Sequence, residues 1–141
     1  MLSCEVRASA PGAPGRSSWA GPCVMASIDL ETDDRAALNL LFRATRDSAS
    51  AIAAGLIGVT PSDVEEADVL ASAAELVNIV HGRLRNRLVD AEINVQLGLP
   101  RTWTGETVEG AHNDPEAIGV VITAPALSVE FELILSAGTS A

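Results

Sequence analysis

The sequence predicts an α+β domain, in which an antiparallel β-sheet packs with two long α-helices. Three observations lead to this fold class. Apolar residues recur every three or four positions in the middle of the chain, and they alternate with polar residues toward its end. With 48% hydrophobic residues in 141, the chain can bury the core of one domain.

The charge of the chain limits its partners. The net charge is −10, with nine basic residues that are all arginine. Such a chain repels phosphate backbones and anionic lipid surfaces, so nucleic acid and membranes are not expected partners. A protein with a basic patch is compatible with this charge. The sequence shows no apolar run long enough to span a membrane and no signal peptide, so we expect a cytoplasmic protein. Cys4 and Cys23 do not have the spacing of a metal site, and we expect both thiols to be reduced.

The N-terminal region divides at a cluster of Pro and Gly. Residues 1–18 are expected to form a strand at Leu2–Ala8 or a flexible tail. A second strand candidate lies between Trp19 and Leu30, and the two strands could pair as a hairpin. Residues 19–135 are the predicted domain, and residues 136–141 are a predicted disordered tail.

Two helices follow in the prediction. The first has Thr32 as N-cap, continues to Leu56, and carries Arg43, Arg46 and Asp47 on its solvent side. The second starts at Thr60–Pro61 and continues to about Val89, with a break near residues 66–69 as an alternative. Its core stripe consists of Leu70, Ala73, Val77, Val80, Leu84 and Leu88.

After Asp90 the apolar period changes from 3.6 to 2. The alternation predicts strands at residues 93–99, 102–109, 117–123 and 127–135. The last two are expected to pair, and 127–135 is the candidate edge for a second copy of the chain.

Few residues offer chemistry. The sequence has no nucleophile elbow and no phosphate-binding glycine loop. His81 and His112 lack ligand spacing, so no metal site is predicted, and His81 is expected to be structural. What remains is the second helix's outer face, with Glu75, Asn78, Ile79, Gly82 and Asn86.

An amide can hold a water molecule, and a carboxylate can pair with a partner's cation. Taken alone, this pair of residues favours an ordinary solvated face, because the same spacing occurs by chance in many helices. Arg83, Arg85 and Arg87 come after Glu75 and Asn78 along the helix. We interpret them as cations that interact with the negative end of the helix dipole.

The run from Glu75 to Arg83, followed by Leu97-Gly98-Leu99-Pro100 and Thr104-Gly105, resembles the CheX branch of the CheC/CheX/FliY phosphatases of bacterial chemotaxis. In that family an ELxNIxxG helix is followed by a strand ending in Pro and then by Gly. Here Ala71 stands where the family often has Asp or Ser, four residues before the Glu.

The resemblance implies a CheC/CheX-like fold and a substrate. The substrate is the phospho-aspartate of a CheY-like receiver domain. Glu75 would pair with the receiver's lysine, and Asn78 would orient the attacking water. Ile79, Gly82 and Asn86 would contact the receiver, which would supply the Mg²⁺, so the chain would need no cofactor of its own. A homodimer is a further expectation.

Two alternatives stay open. The chain could be a non-catalytic module that binds a receiver or assembles with itself, a hypothesis motivated by Ala71. It could also be a structural subunit whose Glu75–Asn78 face is buried in a dimer.

Overall fold

The computed structural model describes residues 5–13, 22–33, 37–105 and 116–137. These residues form two helices, α1 (Arg46–Ile57) and α2 (Glu66–Asp90), and the strands β1 (Arg7–Ala8), β2 (Cys23–Thr32), β3 (Ala37–Thr45), β4 (Val95–Leu97), β5 (Arg101–Gly105), β6 (Ile118–Ala124) and β7 (Val129–Ala137). Short 3₁₀ turns at Pro61–Asp63 and Pro125–Leu127 precede α2 and β7. The predicted α+β fold class is confirmed.

All strands join one antiparallel sheet in the order β1-β6-β7-β3-β2-β4. β5 also pairs with β2, along Cys23–Ser27, whereas β4 pairs along Leu30–Thr32. Because β3 occupies the other side of β2, β4 and β5 follow one another along the same outer side of the sheet.

The main core lies between the sheet and the two helices. Alternate residues of β2 and β3 face the helices, among them Ile28 and Phe42, and the Phe42 and Phe131 rings lie 5.3 Å apart between centroids. The helices contribute small or branched side chains: Ala49, Ala53, Val69, Ala73 and Val77. A second cluster of Met25, Leu41, Ala117 and Ile134 includes the intervening residues of β2, β3 and β7, which point to the opposite face.

The first predicted helix is wrong over its first half. Residues 37–45 form β3, and Thr45, not Thr32, is the N-cap of α1, where its hydroxyl accepts a hydrogen bond from the Ser48 backbone N–H at 3.2 Å. β3 lies between β2 and β7 and is buried on both faces, so its apolar residues do not alternate with polar ones. Arg43, expected in solvent, is buried. The second half is helical, as predicted, and ends at Gly58 with φ +83°.

The second predicted helix begins later than expected. A 3₁₀ turn occupies Pro61–Asp63, the backbone at Val64 and Glu65 is extended, and α2 starts at Glu66. Glu66 forms an exposed ion pair with Arg46, which joins the starts of the two helices. The hydrogen bond from Arg46, with its positive charge, lowers the pKa of Glu66, and the same hydrogen bond raises the pKa of Arg46.

The predicted N-terminal hairpin is also wrong. β1 pairs with β6, placing Arg7 opposite Thr123, whereas β2 pairs with β3. The pairing of β6 with β7 is confirmed, but β7 is an interior strand between β6 and β3 and therefore offers no edge to a second copy.

The expected tail begins too early, because Ser136 and Ala137 belong to β7. Several expectations lie outside the described residues, namely those for residues 1–4, 14–21, Asp34, 106–109, His112, 113–115 and 138–141. Neither helix of the described part is long and apolar enough to cross a membrane.

Candidate functional site

The candidate site lies on α2, whose orientation is fixed by its buried side. Glu65 caps the helix and forms a capping box with Asp68, whose carboxylate accepts the Glu65 backbone N–H at 3.3 Å. Val69, Ala73 and Val77 are buried against the sheet. Because these three residues fix the rotation of the helix, its opposite side faces solvent.

The five residues singled out in the sequence lie together on this solvent side. Glu75, Asn78, Ile79 and Asn86 are exposed, and Gly82 is half-buried. At about 100° per residue, Glu75 and Gly82 lie roughly 60° and 40° around the helix axis from Asn78. We call Glu75, Asn78, Ile79, Gly82 and Asn86 the site face.

The polar groups of the site face are not used within the described part of the chain. Neither the Glu75 nor the Asn78 side chain forms a hydrogen bond or ion pair with any described residue. Ile79 between them is 44% exposed, although it is a large apolar side chain. A carboxylate, an amide and an apolar residue are therefore all available to a second molecule.

Gly82 is not required by the chain's own packing. Among the described residues, a methyl group added at this position would meet no atom within 4 Å apart from the adjoining backbone of α2. Glycine in the interior of a helix costs about 1 kcal/mol of stability relative to alanine. Since no described residue packs into the space beside Gly82, the advantage of a glycine there would lie in the close approach of another molecule.

His81 lies next to the site face but points inward. It is only 1% exposed, and neither ring nitrogen has a hydrogen-bond partner. Burial lowers the pKa of His81, and the positive charge of Arg85 lowers it further. Both effects favour the neutral ring, and the buried position agrees with the expectation of a structural histidine.

The described residues contain no group of three or more His, Cys, Asp or Glu side chains suited to bind a metal ion. The site face by itself can hold a water molecule through the Asn78 amide and attract a cation through the Glu75 carboxylate. It offers no hydroxyl or thiol nucleophile. Its chemistry would therefore need a reactive group brought by a partner.

Arg83, Arg85 and Arg87, near the C-terminal end of α2, were all assigned to the helix dipole from the sequence, and this interpretation was incomplete. Only Arg87 lies in the last turn of α2, where the helix dipole acts. Arg83 and Arg85 lie earlier in the helix, and both are exposed. The position of the helix end decides which arginines lie in the last turn. α2 ends at Asp90, and the predicted end near Val89 would already have placed only Arg87 there.

Comparison with known proteins finds a protein family whose model matches most of this chain. The family model "Chemotaxis phosphatase CheX" matches residues 24–123. The fold is similar to that of a CheX chemotaxis protein from Desulfovibrio desulfuricans, with 15% identity, a TM-score of 0.74, and coverage of 96% of this chain and 87% of that one.

Two further solved structures have the same fold. One is a CheX–CheY–BeF3–Mg²⁺ complex from Borrelia burgdorferi, with 19% identity, a TM-score of 0.76, and coverage of 96% of this chain and 85% of that one. The other is FliY from Thermotoga maritima, with 15% identity, a TM-score of 0.55, and coverage of 92% and 71%. No curated protein sequence gives a significant match.

Proposed function

Because the chain belongs to the CheX family of chemotaxis phosphatases, we propose that it hydrolyses the phospho-aspartate of a CheY-like receiver domain. The single observation that carries this proposal is the free carboxylate and amide of Glu75 and Asn78 on one exposed face of α2. The Borrelia burgdorferi structure with the same fold is a complex of CheX with CheY, BeF3 and Mg²⁺. That partner is consistent with a receiver as the substrate here.

In the proposed mechanism α2 supplies half of a catalytic site. The Asn78 amide donates and accepts hydrogen bonds, and so holds a water molecule in line with the phosphorus atom of the receiver. The Glu75 carboxylate pairs with a lysine of the receiver and fixes the distance between the two proteins. Catalysis of phosphoryl transfer consists mostly of positioning and charge stabilisation, which two fixed side chains can provide.

The remaining residues of the site face would bind the receiver. Ile79 would be covered by the partner, Asn86 would hydrogen-bond near the interface margin, and Gly82 would allow the partner's backbone to approach α2. The receiver would hold the Mg²⁺, which stabilises the phosphoryl charge when bound. No residue of this chain is assigned to that ion.

The test compares two exposed asparagines. Receivers of the source organism are phosphorylated with a small phosphodonor, and the loss of phosphate is followed with wild-type protein, Asn78→Ala and Asn94→Ala. Asn94 is exposed after the end of α2, outside the site face. Asn78→Ala should slow hydrolysis by about 100-fold or more, because the water is no longer positioned, whereas Asn94→Ala should match wild type. Equal rates for all three proteins would refute the proposal.

The second candidate is a receiver-binding module without catalysis. Ala71 is exposed one turn before Glu75 and contributes no polar group to the site face. Under this alternative a receiver would bind with Glu75 and Asn78 buried, but the wild-type chain would not accelerate phosphate loss. The assay above separates the two functions when it is combined with a binding measurement.

A homodimer and a cytoplasmic location also remain proposals. Among the described strands, β1 forms one outer side of the sheet and β4 with β5 forms the other. A second copy that joined the sheet would pair with one of these strands. Sedimentation of the purified chain over a range of concentrations would measure its oligomeric state.

A further inference from the structure

The arginines in the described part of this acidic protein differ in whether they have an acidic partner. In the part of the chain that the structure describes, four arginines form ion pairs: Arg7 with Glu5, Arg43 with Glu132, Arg46 with Glu66, and Arg101 with Asp29. The arginines of the same part that form no ion pair with a described residue are Arg83, Arg85 and Arg87, which lie around Asn86 at the C-terminal end of the site face.

Local helix stability explains only one of these three arginines. Arg87 lies in the last turn of α2, where a cation interacts favourably with the helix dipole. Arg83 and Arg85 lie outside this turn, and neither has an acidic residue three or four positions away. Arg83 and Arg87 are instead a like-charge pair at i,i+4, which is slightly unfavourable. The first two arginines therefore add no evident stability to the helix.

Arg83 and Arg85 lie on either side of the open position at Gly82. Around the helix axis Arg83 is about 100° to one side of Gly82 and Arg85 about 60° to the other. Helical side chains lean toward the N-terminus, so both arginines extend back toward the site face. Arg85 shares a line along the helix with Asn78, from which its Cα is about 10 Å distant along the axis.

We propose that Arg83 and Arg85 form a cationic docking element that binds the anionic pocket of the phosphorylated receiver. This inference rests on the proposed function and adds the orientation of the complex. A protein that holds a phosphoryl group and Mg²⁺ must offer carboxylates to the ion, so the margin of its pocket is acidic. The two arginines then match acidic groups at one end of the site face, while Glu75 at the other end matches a lysine.

The net charge of −10 explains why two arginines beside the site face would matter for binding. An acidic protein is repelled by an acidic pocket at long range, which slows the encounter. Two cations beside the site face add positive charge at the place where the receiver would dock, and so reduce this repulsion. Arg87 lies about 140° around the axis from Gly82, further round than Arg83 or Arg85, and one turn beyond Arg83 toward the end of the helix. It is therefore not part of the element.

The experiment compares three substitutions on one helix that make the same change in charge. Arg83→Gln, Arg85→Gln and the control Arg87→Gln are measured for binding to CheY-like receivers of the source organism, activated with beryllofluoride and Mg²⁺. We expect Arg85→Gln and Arg83→Gln each to weaken binding about five- to tenfold, mainly through slower association, and Arg87→Gln to change it less than about twofold. The differences in affinity between the variants should disappear near 1 M salt, because salt screens the charges.

The outcomes separate this inference from the proposed function. If all three substitutions weaken binding equally, only net charge matters and the docking element is refuted. If Arg83→Gln and Arg85→Gln bind like wild type while Asn78→Ala loses hydrolysis, the docking element is refuted and the phosphatase stands. If wild type binds no activated receiver, both proposals fall. Selective loss at Arg83 and Arg85 supports the element even where wild type shows no turnover.

Discussion

Arg43 and Glu132 lie directly opposite each other on β3 and β7, and their side chains form an ion pair of 3.3 Å. The pair is almost fully removed from solvent, with side-chain exposures of 8% and 1%. It lies on the sheet face that carries Met25 and Ile134 rather than on the face covered by the helices. Two opposite charges are thus built into the centre of the sheet.

We expect removal of either charge to destabilise the fold strongly. In Arg43→Met the Glu132 carboxylate loses its ion-pair partner while it stays buried. Breaking a buried ion pair in this way costs about 3–5 kcal/mol. The free energy of unfolding, measured by urea denaturation, should fall by that amount for Arg43→Met and for Glu132→Gln.

An exposed ion pair provides the control for this prediction. Arg101 and Asp29 lie 3.4 Å apart with side-chain exposures of 68% and 57%. Water screens such a pair, so Arg101→Met should cost less than about 1 kcal/mol. Equal costs for Arg43→Met and Arg101→Met would show that burial of the first pair has no energetic consequence.

The fold was predictable where one face of an element meets water. β6 and β7 were predicted with their pairing, and α2 was placed to within a residue at its C-terminal end. β3 was missed because both of its faces are buried: Leu40 and Phe42 face the helices, and Leu41 and Arg43 face the other side. Such a strand carries no alternation, and its leucines and alanines also suit a helix.

The site face was predictable because it lies on a regular helix. The period of 3.6 residues alone places Glu75, Asn78 and Gly82 on one side. The sequence could not show that Gly82 has open space around it, since that depends on distant residues. It also could not show that Arg43 has a buried partner 89 positions away. Long-range contacts determine both facts, and local patterns do not record them.

His81 should make the stability of the protein depend on pH. Burial first, and the charge of Arg85 second, lower its pKa in the folded state. The unfolded chain, with a histidine pKa of about 6.5, then binds a proton more readily than the folded protein does. The contribution of His81 to the free energy of unfolding should therefore be constant above this pH and decrease as the pH falls through it toward the lower, folded pKa.

Urea denaturation between pH 8 and pH 5 measures this effect. Other groups also titrate in this range, so the quantity of interest is the difference between wild type and His81→Leu. Wild type should lose stability relative to the variant as the pH falls below about 6.5, because the variant has no ring to protonate. A constant difference over the whole range would contradict a lowered pKa for His81.

Gly82→Ala should raise stability and lower activity, two effects of opposite sign. The added methyl group meets nothing within 4 Å inside the chain, so α2 should gain up to about 1 kcal/mol in helix propensity. The same methyl group lies beside Glu75 and Asn78, where it would hold the receiver away and reduce hydrolysis by about tenfold or more. Gly55→Ala is the matched control, because Gly55 is an exposed helical glycine of α1 with equally open surroundings. Thermal denaturation should show that both variants are stabilised. Phosphate release should show that hydrolysis is reduced only in Gly82→Ala. Unchanged hydrolysis in both variants would mean that no partner approaches α2 at Gly82.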